Sequence, residues 1–402
     1  LIGNNVKVGC YLMKKLVSLI FVILLVCSNH LTPLAANNGQ PNLKSKGAIL
    51  LDSDTGAVLY QKNADKKMYP ASLTKIATAI YAIEKGNLNS LVTVSANAVR
   101  QDGTRVYLDE GEKITLKQLI EGMLVNSGND AAVAIAEHLD GSVEQFAMHL
   151  NTYLKTTIGV NHTHFINPNG LFDKNHYTTA RDMGIITNYA IKNPVFAEIF
   201  GTKVLKWKGK SWKTNIVTHH RMLKGEFAYP GVTGGKTGYT VKAKQTLATT
   251  AANPKIRLTA VVLNSDLPKD KYDDTASLFD YGFKNFQHAT LLQSDIYKLG
   301  NKEYFPEKNT LITESTKGSM RVLNNQGVLA IKSNNNGQVV QFVPLKYKEP
   351  APVKLQVKNV TTSKNKQQQE KQLFNINLIY GVIIIALAGI IIGLRNKLTR
   401  KF

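Results

Sequence analysis

The stretch that decides how this chain is read is Tyr69–Ile80, "YPASLTKIATAI". It sets Ser72 three residues before Lys75 and runs on into an apolar sequence that predicts a helix from Ser72 to about Glu84. At positions i and i+3 the two side chains share a face, so the amine reaches the hydroxyl. A lysine at the head of a core helix is either an ordinary solvated charge or an amine held dry beside a hydroxyl it must deprotonate. The second reading is costly. Bringing a lysine from its usual value of about 10.4 to near neutrality takes about 4 to 5 kcal/mol of selective destabilisation of the ammonium, which burial and a second cation can supply. The spacing alone is weak, because it recurs at Ser363 and Lys366 in a polar stretch.

The flanking sequence gives the fold class. Residues 46–66, "KGAILLDSDTGAVLYQKNADK", alternate around a "DTG" turn and predict a β-hairpin. Residues 115–139 read as two helices separated by "NSGND", and further helical patterns cover about 142–156 and 179–192. "RLTAVVLNS" (257–265) reads as a buried strand and "DDTASLFDYGFKNF" (273–286) as a closing helix. Strands at both ends with helices between them predict an α+β domain over 45–285, its terminal segments paired in one antiparallel sheet. Short alternating pieces spaced by Asn/Gly turns then predict a small all-β domain over 287–358. A polar stalk (359–375) follows.

The ends predict export. From Met13, the expected start, two lysines precede an apolar run and the small residues Ala35 and Ala36, so residues 1–36 read as a leader with a signal peptide. Both cysteines, Cys10 and Cys27, fall inside it, and the exported chain would depend on its core rather than on disulfides. "LIYGVIIIALAGIIIGL" (378–394) carries no charge and, at about 26 Å, just matches a bilayer core, so 376–394 reads as a transmembrane helix. The basic residues of 395–402 would hold the tail in the cytoplasm, leaving the catalytic part on the outer face of the cell membrane of a Gram-positive-like cell. The net charge of +22 could suit nucleic acid, but export points instead to anionic lipid headgroups or wall polymers.

Company in order raises the weight of Ser72 and Lys75. "NSGND" supplies Ser127 and Asn129 in an interhelical break, and "TGGKTGYT" supplies Lys236, Thr237, Gly238 and Tyr239 on a glycine-bearing strand against which a substrate backbone can lie. Ser-x-x-Lys, Ser-x-Asn and Lys-Thr-Gly in this order resemble the penicillin-binding protein and serine β-lactamase superfamily. The likeness is strongest to the low-molecular-mass D-alanyl-D-alanine carboxypeptidases (peptidase S11-like). It extends over about 45–285 and includes "GAILLDSDTGAVLY", "MLVNSGNDAA" and "NPNGL".

The resemblance implies that Ser72 is the nucleophile, Lys75 its base and Ser127 a proton relay. Asn129, Lys236, Thr237, Gly238 and Tyr239 would bind substrate, with the Ser72 and Tyr239 N–H groups as oxyanion hole. It implies a stem pentapeptide ending in D-Ala-D-Ala as substrate, β-lactams as covalent inhibitors, and no cofactor or metal. Two departures stand out: Thr233 where many relatives carry aspartate, and Asp266 where some place a substrate-binding arginine. The second leaves open which residue is the second anchor for a substrate carboxylate.

The alternatives are a class A-like β-lactamase or a catalytically silent wall-binding protein. No Glu-x-x-x-Asn pattern, the usual source of a deacylating glutamate, lies between Asn129 and Lys236. His162 with His164, and His219 with His220, lack accompanying ligands at zinc spacing. Asp173 reads as a solvated loop carboxylate ahead of a cleft-lining one, and "KWKGKSW" (206–212) as a basic hairpin with Trp207 and Trp212 packed on the body ahead of a glycan-holding pair.

Overall fold

The computed structural model describes residues 39–334 and 336–349. The expected leader, stalk, membrane helix and tail lie outside them. Among the described residues no helix is long and apolar enough to cross a membrane.

Five strands form the central sheet: β1 (Gly47–Asp52), β2 (Val58–Lys62), β3 (Val232–Thr240), β4 (Lys244–Ala252) and β5 (Arg257–Ser265). Their order is β2-β1-β5-β4-β3, antiparallel throughout. Segments two hundred residues apart in the chain thus meet: β1 runs along β5 from Gly47↔Leu263 to Asp52↔Leu258. The apolar runs of β1 and β5 are explained by burial on both faces, since side chains alternate across a strand. Ile49, Leu51, Val261 and Leu263 join the core under the helical layer. Ala48, Leu50, Ala260 and Val262 join a second core on the opposite face.

The helical layer contains α1 (Thr74–Lys85), α2 (Leu116–Val125), α3 (Asn129–Asp140), α4 (Val143–Tyr153) and α5 (Ala180–Ala190). Hydroxyls supply several starts: Thr115 accepts from the Gln118 N–H, Ser142 from Gln145 and Thr179 from Asp182. Ten of the twelve residues of α1 are buried, Lys75 among them. A helix apolar nearly all round is a core helix, so any polar group on it must find partners inside. The second face is covered by α6 (Asp270–Asn285), through Tyr272, Leu278 and Phe279.

From α6 the chain enters a β-rich portion directly, at the strand Phe286–Leu291, which pairs with Thr310–Ser315. Two three-stranded sheets complete it, around a small core of Leu291, Ile312, Leu329, Ile331 and Val343. A polar seam ties this portion to β1. The fully buried Asp52 accepts hydrogen bonds from Thr313 Oγ1 (2.6 Å) and, in the tautomer protonated there, His288 Nε2 (2.8 Å). Asp52, Asp54 and His288 lie close enough to suggest a metal site, but Asp54 is already paired with Arg257.

Candidate active site

Ser72 sits in a short 3₁₀ turn, Ala71–Leu73, that feeds α1. The turn is held from several sides. Thr74 Oγ1 donates to the Ala71 carbonyl at 2.9 Å, and the buried His176 lies 2.9 Å from the same hydroxyl through Nε2. His176 Nδ1 accepts from the Ile166 N–H, which leaves the proton on Nε2. Burial pushes this imidazole down to about 3, so it is neutral. Gly170 closes the back of the turn. It has φ +83°, and a Cβ there would stand 1.9 Å from the Ala71 carbonyl oxygen.

Lys75 enters this turn from below, fully buried. Its Nζ donates to Ser72 Oγ (3.1 Å), Asn129 Oδ1 (2.7 Å) and the Asn169 carbonyl (2.6 Å). All three partners are neutral, so no opposite charge at hydrogen-bond distance offsets the loss of solvation. Burial holds the amine well below the ordinary lysine value, the nearby Lys236 lowers it further, and the more distant Asp130 acts weakly against both.

Lys236, on edge strand β3, approaches from the other side and is also buried. Its Nζ donates to Ser127 Oγ (2.9 Å) and to the Thr237 carbonyl (2.8 Å). Burial, helped by Lys271, lowers it to about 7. Ser127 lies between α2 and α3 with φ +66°, and Ala71 beside the nucleophile has φ +49°. Left-handed backbone at non-glycine residues costs about 1 to 3 kcal/mol and persists only where surrounding contacts enforce it. Here it aims two hydroxyls into one cleft.

Asn129, the first residue of α3, is fixed by a loop: its N–H donates to the Thr104 carbonyl (2.7 Å) and its Nδ2 to the Asp102 carbonyl (2.5 Å). Asp130 anchors the same loop by accepting from the Val106 and Leu108 N–H groups. Thr237, Gly238 and Tyr239 follow along β3, with Tyr239 exposed. A Cβ at Gly238 would meet Thr246 Oγ1 at 2.3 Å and the Ser72 nitrogen at 2.9 Å, so only glycine lets the strand lie against the nucleophile turn.

The structure therefore gathers two hydrogen-bonded groups at one cleft, Ser72–Lys75–Asn129 and Ser127–Lys236, bordered by Thr237–Tyr239. Asp266, in contrast, is exposed and paired with Lys244 and Lys46. Thr233 bonds Thr250 across the sheet. Asp173 closes a local turn on the Asn175 N–H, and His220 is a buried neutral cap donating to Thr249 from Nε2 while its Nδ1 accepts from the Leu223 N–H. Two participants escaped the sequence reading. The Asn169 carbonyl is presented to Lys75 by a loop whose side chains satisfy its own N–H groups, as Asn167 Oδ1 does for Gly170. Lys271, buried on α6 with Gln245 Oε1 at 2.7 Å, adds positive charge behind β3.

The chain matches the D-alanyl-D-alanine carboxypeptidase family, peptidase S11, over residues 35–267. It belongs to that family. Its activity is that of a D-alanyl-D-alanine carboxypeptidase, and the curated relatives agree. The D-alanyl-D-alanine carboxypeptidase DacF of Bacillus subtilis is 33% identical over 285 residues, covering 68% of this chain and 72% of that protein. Among solved structures, penicillin-binding protein 5 from Haemophilus influenzae matches with TM-score 0.66 and 26% identity, over 76% of this chain and 97% of that one. The D-alanyl-D-alanine carboxypeptidase of Mycobacterium tuberculosis matches with TM-score 0.57 and 31% identity, over 61% and 92%. The α+β penicillin-binding fold of the S11 carboxypeptidases is thus the fold of this chain.

Proposed function

We propose that this carboxypeptidase works through an acyl-enzyme on Ser72. The hydroxyl attacks the carbonyl carbon of the penultimate D-alanine while its proton passes to the neutral amine of Lys75. The tetrahedral oxyanion is met by the N–H groups of Ser72 and Tyr239, donors of a kind whose loss costs about 3 to 4 kcal/mol. As the peptide bond breaks, Ser127 relays a proton, giving its own to the leaving nitrogen and taking in its place the one held by Lys75, which is neutral again when the acyl-enzyme has formed. Lys236 donates to Ser127 Oγ, which leaves the serine's own proton free to be given to the substrate. Water then attacks the ester, the neutral Lys75 amine accepting its proton and returning it to Ser72 Oγ as the shortened peptide leaves. Lys236 and Thr237 receive the terminal carboxylate, and Asn129 holds the peptide group.

The observation carrying this reading is the buried Lys75 amine on Ser72 with only neutral partners. The substrate is a peptidoglycan stem pentapeptide ending in D-Ala-D-Ala, and β-lactams acylate the same serine. The chain acts outside the cell, anchored by the apolar stretch 376–394 after loss of its leader.

Mass spectrometry of benzylpenicillin-treated protein should place one adduct on Ser72. In Ser72→Ala, labelling by fluorescent penicillin and release of D-alanine from a pentapeptide should both vanish, and unchanged labelling rejects the nucleophile. Nitrocefin should acylate and turn over slowly; rapid steady hydrolysis would favour a β-lactamase instead.

A further inference from the structure

Beside the cleft a two-stranded ribbon, Val204–Lys208 paired with Lys213–Val217, stands on the helical layer. Its inner face is apolar and anchored: Trp207 and Ile216 are buried, and the Trp207 ring lies over Gly122 of α2. Its tip braces the loop that orders Asn129. The Lys210 N–H donates to Glu112 at 2.8 Å, Ser211 Oγ to Asp109, and Trp212 meets Tyr107 edge-on at 5.1 Å.

The outer face is different in kind. Lys206, Lys208 and Lys213 stand on it beyond the exposed pair Val204 and Val217, with Lys203 and Lys210 exposed at the ribbon's two ends, and none of the five lysines has a carboxylate within ion-pair distance among the described residues. Lys208 stands directly opposite Lys213, and Lys206 opposite Asn215. Directly opposed residues on one face are about 5 Å apart, and like charges so placed destabilise a ribbon. Lys206 and Lys208 are about 7 Å apart along the strand, inside the screening length of about 8 Å at physiological salt. Folding therefore gains nothing from this arrangement. Other lysines of this chain do find acidic partners, as Lys244 does with Asp266 and Lys348 with Glu303.

We propose that the outer face of the 204–217 ribbon is a docking surface for a linear phosphodiester polyanion, such as a poly(glycerol phosphate) chain. A row of unpaired ammonium groups at this spacing matches a chain bearing one negative charge per repeat. The five cations are all lysine and none is arginine, which suits phosphates met as point charges rather than planar carboxylates gripped by a fork. The tip argues against a bilayer. A segment that lies in a membrane interface presents apolar residues to it, whereas here the exposed tip carries Lys210, Ser211 is tied to Asp109, both tryptophans pack on the body, and the exposed Val204 and Val217 sit at the far end of the ribbon. Because the tip braces the Thr104–Glu112 loop, a docked polymer would lie next to the mouth of the cleft. The surface does not depend on the chemistry assigned to Ser72.

The test uses the purified full-length chain and poly(glycerol phosphate), with binding followed by titration calorimetry across a salt series. The triple variant Lys206→Gln, Lys208→Gln, Lys213→Gln should bind about tenfold more weakly or worse, and its salt slope should fall by about 2. A control triple removing the same charge from the β-rich portion (Lys302→Gln, Lys308→Gln, Lys317→Gln) should change affinity less than about twofold. The charge-preserving triple to Arg should retain binding. Lys213→Glu guards against loss of fold: it places a carboxylate opposite Lys208, so the melting temperature should hold or rise while polymer binding weakens. Equal losses in the ribbon and control triples, or no binding by the unmodified chain, would overturn the proposal. So would a ribbon variant that keeps polymer binding but loses the extra affinity for phosphatidylglycerol-containing over pure phosphatidylcholine vesicles.

Discussion

Two buried amines serve opposite ends of one cleft, and their titrations should be visible separately. Lys75 acts only when neutral, so activity rises as pH rises through its depressed value. Lys236 contributes its charge, and at about 7 it loses that charge as pH rises further. The pH profile of kcat/KM in the free enzyme should therefore be a bell whose alkaline limb lies near 7. A bound carboxylate beside Lys236 favours its charged form, so the alkaline limb of kcat should lie higher. Lys236→Arg keeps the charge at all accessible pH, and should lower the rate while moving the limb of kcat/KM up by more than about one unit. A limb that stays in place in this variant would assign it to another group. The serine–lysine spacing was legible at this scale because i, i+3 geometry is local. The third partner of Lys75 was not: a backbone carbonyl carries no residue-type signal, and Asn169 is brought in by a loop ninety residues away.

At the scale of elements, β3 combines close approach on one side with charge behind it. Gly238→Ala would drive a methyl against Thr246 and the Ser72 nitrogen, so the strand must move off the turn. The expected loss in acylation rate is about 10² to 10³, the size of a lost oxyanion donor, with a melting temperature lowered by only a few degrees. Wild-type acylation in this variant would remove the strand from the mechanism. Lys271 tests the charge behind it. Its folded value of about 8 lies below the ordinary 10.5, so the unfolded chain holds more protons between those limits and stability rises with pH across that window. Lys271→Met should stabilise the protein at pH 7 by about 1 to 2 kcal/mol, after allowing for the abandoned Gln245 acceptor, and the gain should fade by pH 10. Denaturant melts at the two pH values measure this, and equal gains at both would show that packing, not charge, is responsible. Removing that cation should also raise Lys236 and carry the alkaline limb upward. The elements themselves could be read from periodicity: the "RLTAVVLNS" strand occupies 257–265 as expected, and the "NSGND" break separates α2 from α3. Lys271 could not be, because on an amphipathic helix beginning "DKYDD" a lysine reads as a solvated charge until tertiary contacts bury it.

Across the whole molecule, the β-rich portion meets the catalytic sheet through the polar seam at Asp52 and through Phe286 and Val340, which are buried in the same apolar cluster as Leu50 and Leu258. Alternating sequence announced its strands, but no local pattern could say what it would rest upon, since Thr313 and Asp52 are 261 residues apart. Thr313 is fully buried and lies 2.5 Å from Thr55 Oγ1 as well as 2.6 Å from the Asp52 carboxylate. Thr313→Val keeps the shape and removes the hydroxyl, leaving a buried carboxylate oxygen with one donor fewer, at a cost of about 1 to 3 kcal/mol. The pairing of β1 with β5 uses backbone groups only and is untouched by this change. The loss should therefore fall on the seam. Calorimetry should show the β-rich portion melting ahead of the body, and limited proteolysis should cut first near the α6 exit at 285–287. Acylation of Ser72 by penicillin should proceed at the parental rate, because the seam meets the sheet at the Asp52 end of β1, whereas the nucleophile turn meets β3 at the opposite edge strand. If instead acylation and the single melting transition decline together, the two portions fold as one cooperative unit and the seam is part of what holds the cleft in shape.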